Sequence, residues 1–109
     1  MDAATCVVYC ACPDEECARS IARVLVEEHL AACVNRVPGV TSTYIWDGAV
    51  QEDSEVLLVI KTTQAALPAL QARIETVHPY ELPEVVAVPI NGGSAGYLDW
   101  LRKQASARS

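Results

Sequence analysis

Three cysteines close together near the start of the chain, Cys6, Cys10 and Cys12, and a histidine directly before a proline, His78, are the residues best suited to chemistry. On a regular strand residues of like parity share a face, so the three thiols stand together. Cys12 falls beside a helix start, where the dipole lowers a thiol pKa. One reading is a soft-metal or redox site. The other is that cysteine is a good small core residue, since C-x-x-x-C-x-C lacks the recurring spacing of a zinc or metallochaperone motif. His78 closes a helix, where a cation on the C-terminal dipole accounts for it structurally, and His29 reads as a solvated residue. Catalysis has little to stand on. A thiol hydrolase needs a base beside its cysteine, His29 and His78 are the only histidines, and there is no nucleophile elbow. Asn91-Gly92-Gly93 lacks the lysine of a phosphate cradle. The expectation is a protein that binds but does not catalyse.

These residues sit in a chain of 109, the size of a single domain, with a core from about residue 5 to 103 and a loose tail at 104–109. Half of it is apolar (51%), as in folded globular proteins. Fourteen acidic residues against eight basic ones give a formal charge of -6 without a basic run, which argues against a nucleic-acid partner. Five cysteines are an odd number, and Met1 to Thr5 has no leader pattern, so free thiols in a reducing, cytoplasmic compartment are expected. The apolar runs fall far short of the roughly 20 residues that span a bilayer.

Stepping along the chain, Thr5 to Cys12 reads as a buried strand closed by Pro13 and Asp14. Asp14 to Leu30 reads as a helix with Ala18, Ile21, Ala22 and Leu25 on its packed face. Cys33 to Trp46 and Val50 to Ile60 read as a long hairpin turned at Asp47-Gly48, with a bulge or kink at Pro38-Gly39. A helix over Ala65 to His78, a strand over Glu84 to Ile90 and a short helix over Ser94 to Lys103 follow. The predicted class is α/β (α+β): a ferredoxin-like βαββαβ antiparallel sheet with a C-terminal helix.

Val56 to Ile60 and Val85 to Val88 are apolar on both faces, whereas two helices cover only one. The uncovered side, on the order of 400 Å², is the most that a monomer usually tolerates. Self-association through the sheet follows, unless Tyr9, Thr62 and Thr63 line a ligand cavity instead.

Several motifs then become specific: Tyr9-Cys10-Ala11-Cys12-Pro13, Leu30-Ala31-Ala32-Cys33-Val34-Asn35, Tyr44-Ile45-Trp46-Asp47-Gly48, Lys61-Thr62-Thr63, His78-Pro79-Tyr80-Glu81-Leu82-Pro83-Glu84 and Tyr97-Leu98-Asp99-Trp100-Leu101. Together and in this order, from about Val7 to Leu101, they resemble the CutA family of divalent-cation-tolerance proteins. The resemblance implies a homotrimer related in architecture to the PII signalling proteins, with a cleft between subunits and no established enzymatic activity. It also implies copper or another divalent cation near a first-strand cysteine and a histidine pair, which map to Cys10 and His78. The pair is broken here by Val77, leaving a first-row ion short of ligands unless neighbouring subunits or water complete its shell. Trp46, Lys61, Tyr80, Glu84 and Trp100 are expected around the inter-subunit cleft, with Glu84 as an ionic partner for Lys61. A small-molecule sensor of PII type and a purely structural trimer are the alternatives. A copper carrier of the same fold needs an exposed C-x-x-C, and an acylphosphatase-like enzyme needs an arginine after the first strand.

Overall fold

The computed structural model describes residues 4–106. β1 (Thr5–Cys12) is an inner strand, paired antiparallel with β3 (Ala49–Thr63) on one side and with β4 (Val86–Pro89) on the other. β2 (Cys33–Trp46) pairs antiparallel with β3 at the opposite edge, so the sheet order is β2-β3-β1-β4. With α1 (Glu15–Glu27), α2 (Leu67–Val77) and α3 (Ala95–Gln104), the chain runs β-α-β-β-α-β plus a last helix, the ferredoxin-like order expected from sequence.

The even-numbered residues of β1 and β3 face the two helices of the core. Cys6, Val8, Cys10, Cys12, Leu58 and Ile60 are all fully buried there with Leu25 of α1 and with Leu70 and Ile74 of α2. Burial of each large aliphatic side chain contributes roughly 1.5 to 3 kcal/mol, which makes this layer the main source of stability. Arg73 of α2 reaches Glu28 just beyond α1 through an exposed ion pair, which ties the helix ends together but adds little energy.

Helix ends explain where the predicted boundaries shift. Asp14 caps α1, its side chain accepting from the Cys17 N–H at 2.8 Å. The predicted run to Leu30 stops instead at Glu27, because His29 takes a left-handed φ of 60°. Its N–H donates to Val26 and that of Leu30 to Leu25, a Schellman closure with Leu30 packed in the core that contains Leu25. His29 itself is exposed, with Nδ1 3.2 Å from the Gln104 carbonyl. At the hairpin tip Asp47 and Gly48 both have positive φ, as a tight two-residue turn requires. The β2–β3 register shifts between Val37 and Val40, at the predicted bulge, where Gly39 also has positive φ.

The other face of the sheet carries the odd-numbered residues of β1 and β3, with Val86 and Val88 of β4 opposite Tyr9 and Val7. α3 covers one end of it: the Thr63 hydroxyl donates to the Ala105 carbonyl at 3.1 Å, and Leu101 and Ala105 are fully buried. Of the expected loose tail, Gln104 closes α3 and Ala105 is buried, while Gln104 and Ser106 are exposed. Residues 107–109 lie outside the described part. Thr62 and Thr63, named above as a cavity lining, are both buried. Thr62 donates to the Leu30 carbonyl at 2.6 Å on the helix side, and both are buried anchors. Away from α3, Val37, Val86 and Val88 are exposed and Val7, Tyr9, Leu57 and Val59 half-buried.

Candidate functional site

Two groups of residues meet near the C-terminal end of β1. The first is buried. Pro79 forces His78 out of helical geometry into an extended backbone (φ -80°, ψ 138°), and this turns its ring toward β1. There the ligand atoms of Cys10, Cys12 and His78 lie within 4.8 Å of one another, all three residues buried. The pair carried over by resemblance, Cys10 and His78, is thus brought together, and Cys12 joins it. Sequence parity marked Cys12, but only the fold shows which thiols the imidazole reaches.

The expectation that helix α1 lowers the Cys12 pKa is overturned. The Cys12 thiol is pushed up, first by its hydrogen bond with Cys10 and then by burial. Cys17, a half-buried residue in the first turn of α1, is pushed up to about 12, chiefly by burial and then by neighbouring Cys12. Cys6 is also raised by burial, and all five cysteines are free thiols. Removal from water disfavours the thiolate more than the exposed helix end favours it.

His78 does not serve as a cation on the helix dipole. One ring nitrogen, Nε2, lies 2.8 Å from the Ala11 carbonyl, which can only accept, and Nδ1 accepts the Tyr80 N–H at 3.1 Å. That is the pattern of a neutral imidazole with its proton on Nε2. The two thiols with this imidazole form a soft donor set, suited to thiophilic ions and not to Mg²⁺ or Ca²⁺. Donors at about 2.0 to 2.3 Å from one ion lie roughly 3.5 to 4 Å apart, so adjustments of about 1 Å or less bring the three onto an ion, and the residues fit.

The second group lines an open groove of about 760 Å³ between the hairpin and the loop after α2. Trp46, Tyr80 and Glu84, named above for an inter-subunit cleft, line this groove within one chain, joined by Tyr44, Glu55 and Glu81. Glu55 is only 8% exposed although it is a carboxylate, and its partner is the Tyr80 hydroxyl, which donates to it at 2.5 Å. Burial and this carboxylate raise the Tyr80 pKa. Tyr44 donates to Asp53 in the same way, and this bond raises its pKa. The sequence signal for Glu55 was its place directly before the apolar run Val56 to Ile60. Among the described residues no lysine or arginine lines the groove, and the carboxylates Glu55, Glu81 and Glu84 give it an acidic field.

Lys61 and Trp100 do not join the groove within one chain. Lys61 stands opposite Val7 and Cys33, toward the far end of β3 from the hairpin tip, and its Nζ donates to Asn35 Oδ1. Asn35 and Lys61 are diagonal neighbours on one face, whereas Glu84, the candidate ionic partner, precedes β4 beyond β1 in the same chain. Trp100 packs against Tyr97 on α3, with ring centroids 5.5 Å apart.

Comparison with known proteins places this geometry. Residues 6–104 match the family model described as CutA1 divalent ion tolerance protein. The divalent-cation tolerance protein CutA of Thermus thermophilus is 58% identical over 97 residues, 89% of this chain and 94% of that protein. The human protein CutA is 50% identical over 95 residues, and there the chain spans about half the relative's length, 53%. The solved Thermus thermophilus structure agrees with a TM-score of 0.92 at 55% identity, covering 94% of this chain and 99% of that one. CutA1 from Oryza sativa agrees with a TM-score of 0.94 at 43% identity, covering 97% of each chain. Coverage of nearly the whole chain, at these identities and with the same fold, shows that it belongs to the CutA family of divalent-cation tolerance proteins.

Proposed function

We propose that this chain is a non-catalytic, cytoplasmic homotrimer that contributes to divalent-metal tolerance by holding copper or another divalent cation at Cys10 and His78. The observation that carries the reading is the meeting of these two residues, distant in sequence, in one buried cluster of soft ligand atoms. Trimer formation is supported by the apolar sheet face that α3 leaves open and by the two-stranded end of the hairpin, which exposes Ile45 and Val50. Five free thiols suit a reducing compartment. Among the described residues no helix is long and apolar enough to cross a membrane.

The groove gives the same reading a second ligand position. Its carboxylates and aromatic walls suit a small cation or a cationic group. Lys61 and Trp100 lie outside the groove of their own chain, so their place in an inter-subunit cleft depends on the neighbouring copy. The PII-like alternative, a small-molecule sensor, draws on this groove and not on the thiols.

The test is metal content per chain in fully reduced protein, measured beside the mass in solution. The expected result is a mass three times that of the 11.7 kDa chain and a bound ion that Cys10→Ser or His78→Asn removes. A monomer, or a protein that retains no cation, overturns the reading.

A further inference from the structure

The copper-or-other-cation reading leaves open which ion the buried cluster favours and what the chain's additional thiols do. We propose that Cys10, Cys12 and His78 together form an electroneutral site for a thiophilic divalent ion such as Zn²⁺. The proposal rests on the cation-site reading above and goes beyond it in the third ligand and the ion.

Charge selects a divalent over a monovalent ion. The cluster is buried, and an unbalanced charge in such a place is costly. Two thiolates and a neutral imidazole around a divalent ion sum to zero, whereas around Cu⁺ they leave one negative charge. Binding is a proton exchange with no redox step: the ion forms two metal–sulfur bonds and one metal–nitrogen bond, and Cys10 and Cys12 release one proton each. Without the ion both residues remain thiols. This set of two cysteines and one histidine leaves a fourth position for water or a ligand.

Supporting contacts are already in place. A metal-bound imidazole ordinarily donates its other N–H to a carbonyl or carboxylate, and His78 Nε2 has the Ala11 carbonyl at 2.8 Å. Retaining that bond makes Nδ1 the ligand, and the Tyr80 N–H gives up its acceptor.

Reduced full-length protein is titrated with Zn²⁺ against a chromophoric chelator and, separately, with Cd²⁺ while the near-ultraviolet sulfur-to-cadmium charge-transfer band is followed. The expected result is one ion per chain, a band of the intensity of two thiolates, and two protons released. Cys12→Ser should weaken Zn²⁺ at least 100-fold and halve the band. Cys33→Ser, altered on β2 outside the cluster, should match the parent. Ion-free thermal unfolding shows whether each variant is folded. If Cys12→Ser does not fold, the Cd²⁺ band of the parent decides, two thiolates supporting the site and none overturning it. Parent-like affinity in Cys12→Ser, with loss in Cys10→Ser, overturns this inference and leaves the broader reading intact. Binding of Cu⁺ but of neither Zn²⁺ nor Cd²⁺ also overturns it while leaving copper tolerance standing. No ion of any kind defeats both.

Discussion

The two ends of the β2–β3 hairpin are built from similar residues and live in different surroundings. Near the body, Leu58 and Ile60 of β3 are fully buried under α1 and α2, with β1 and β2 on either side. Beyond Val56, where β1 ends, β2 and β3 continue alone, and Ile45 and Val50 are 72% and 71% exposed. Apolar sequence thus produces a core in one place and a bare surface in the other. Two strands alone are marginal in water, so the ribbon borrows its rigidity from the body and offers its surface outward.

The largest effect is expected in the body. Leu58→Ala leaves a cavity among Leu25, Leu70 and Ile74 and should lower stability by about 2 to 5 kcal/mol, read from the urea midpoint. A loss below about 1 kcal/mol would mean that this layer is not the dominant core.

Alkaline pH comes next. Cys17 titrates at about 12 in the folded state against 9.0 as an ordinary thiol, and Cys12 is raised as well. Between those values the unfolded chain loses protons that the folded chain keeps. The stability these thiols confer is therefore complete below pH 9.0 and falls as pH rises toward about 12. Urea unfolding of the ion-free protein at pH 8 and 10.5 should show the drop, and Cys17→Ser should reduce it. An unchanged slope in that variant would place the cause elsewhere.

A smaller loss, about 1 kcal/mol, is expected for Asp14→Ala, which removes the cap of α1. The smallest is for Ile45→Ser, within about 0.5 kcal/mol if the ribbon is solvated. A much larger loss, with a reduced mass by light scattering, would show that a second chain covers the ribbon and would turn the contrast into a difference between packing within and between chains.

Much of this was legible beforehand because local signals and fold agree. Asp47-Gly48 fixes the hairpin turn, Pro79 ends α2, and the parity of Cys6, Cys10 and Cys12 predicts their shared face. The end of α1 was not legible. His29 in a left-handed conformation is a Schellman closure made without the usual glycine, and Leu30 reads as one more helical apolar residue. The burial of Ala105 escaped for a similar reason: a small residue after a helix carries no pattern, and only the docking of α3 onto Thr63 covers it.

By itself the sequence determined the order of elements, the two-sided apolar strands and the residues able to bind a soft ion, since these follow from residue type and period along the chain. Tertiary structure alone decided which of them meet. It set His78 against Ala11 and the Cys10–Cys12 pair, gave Glu55 to Tyr80, and placed Lys61 beside Asn35, away from Glu84. Such pairings depend on strand order and register, and register is settled by the packing of whole faces, which no single residue specifies.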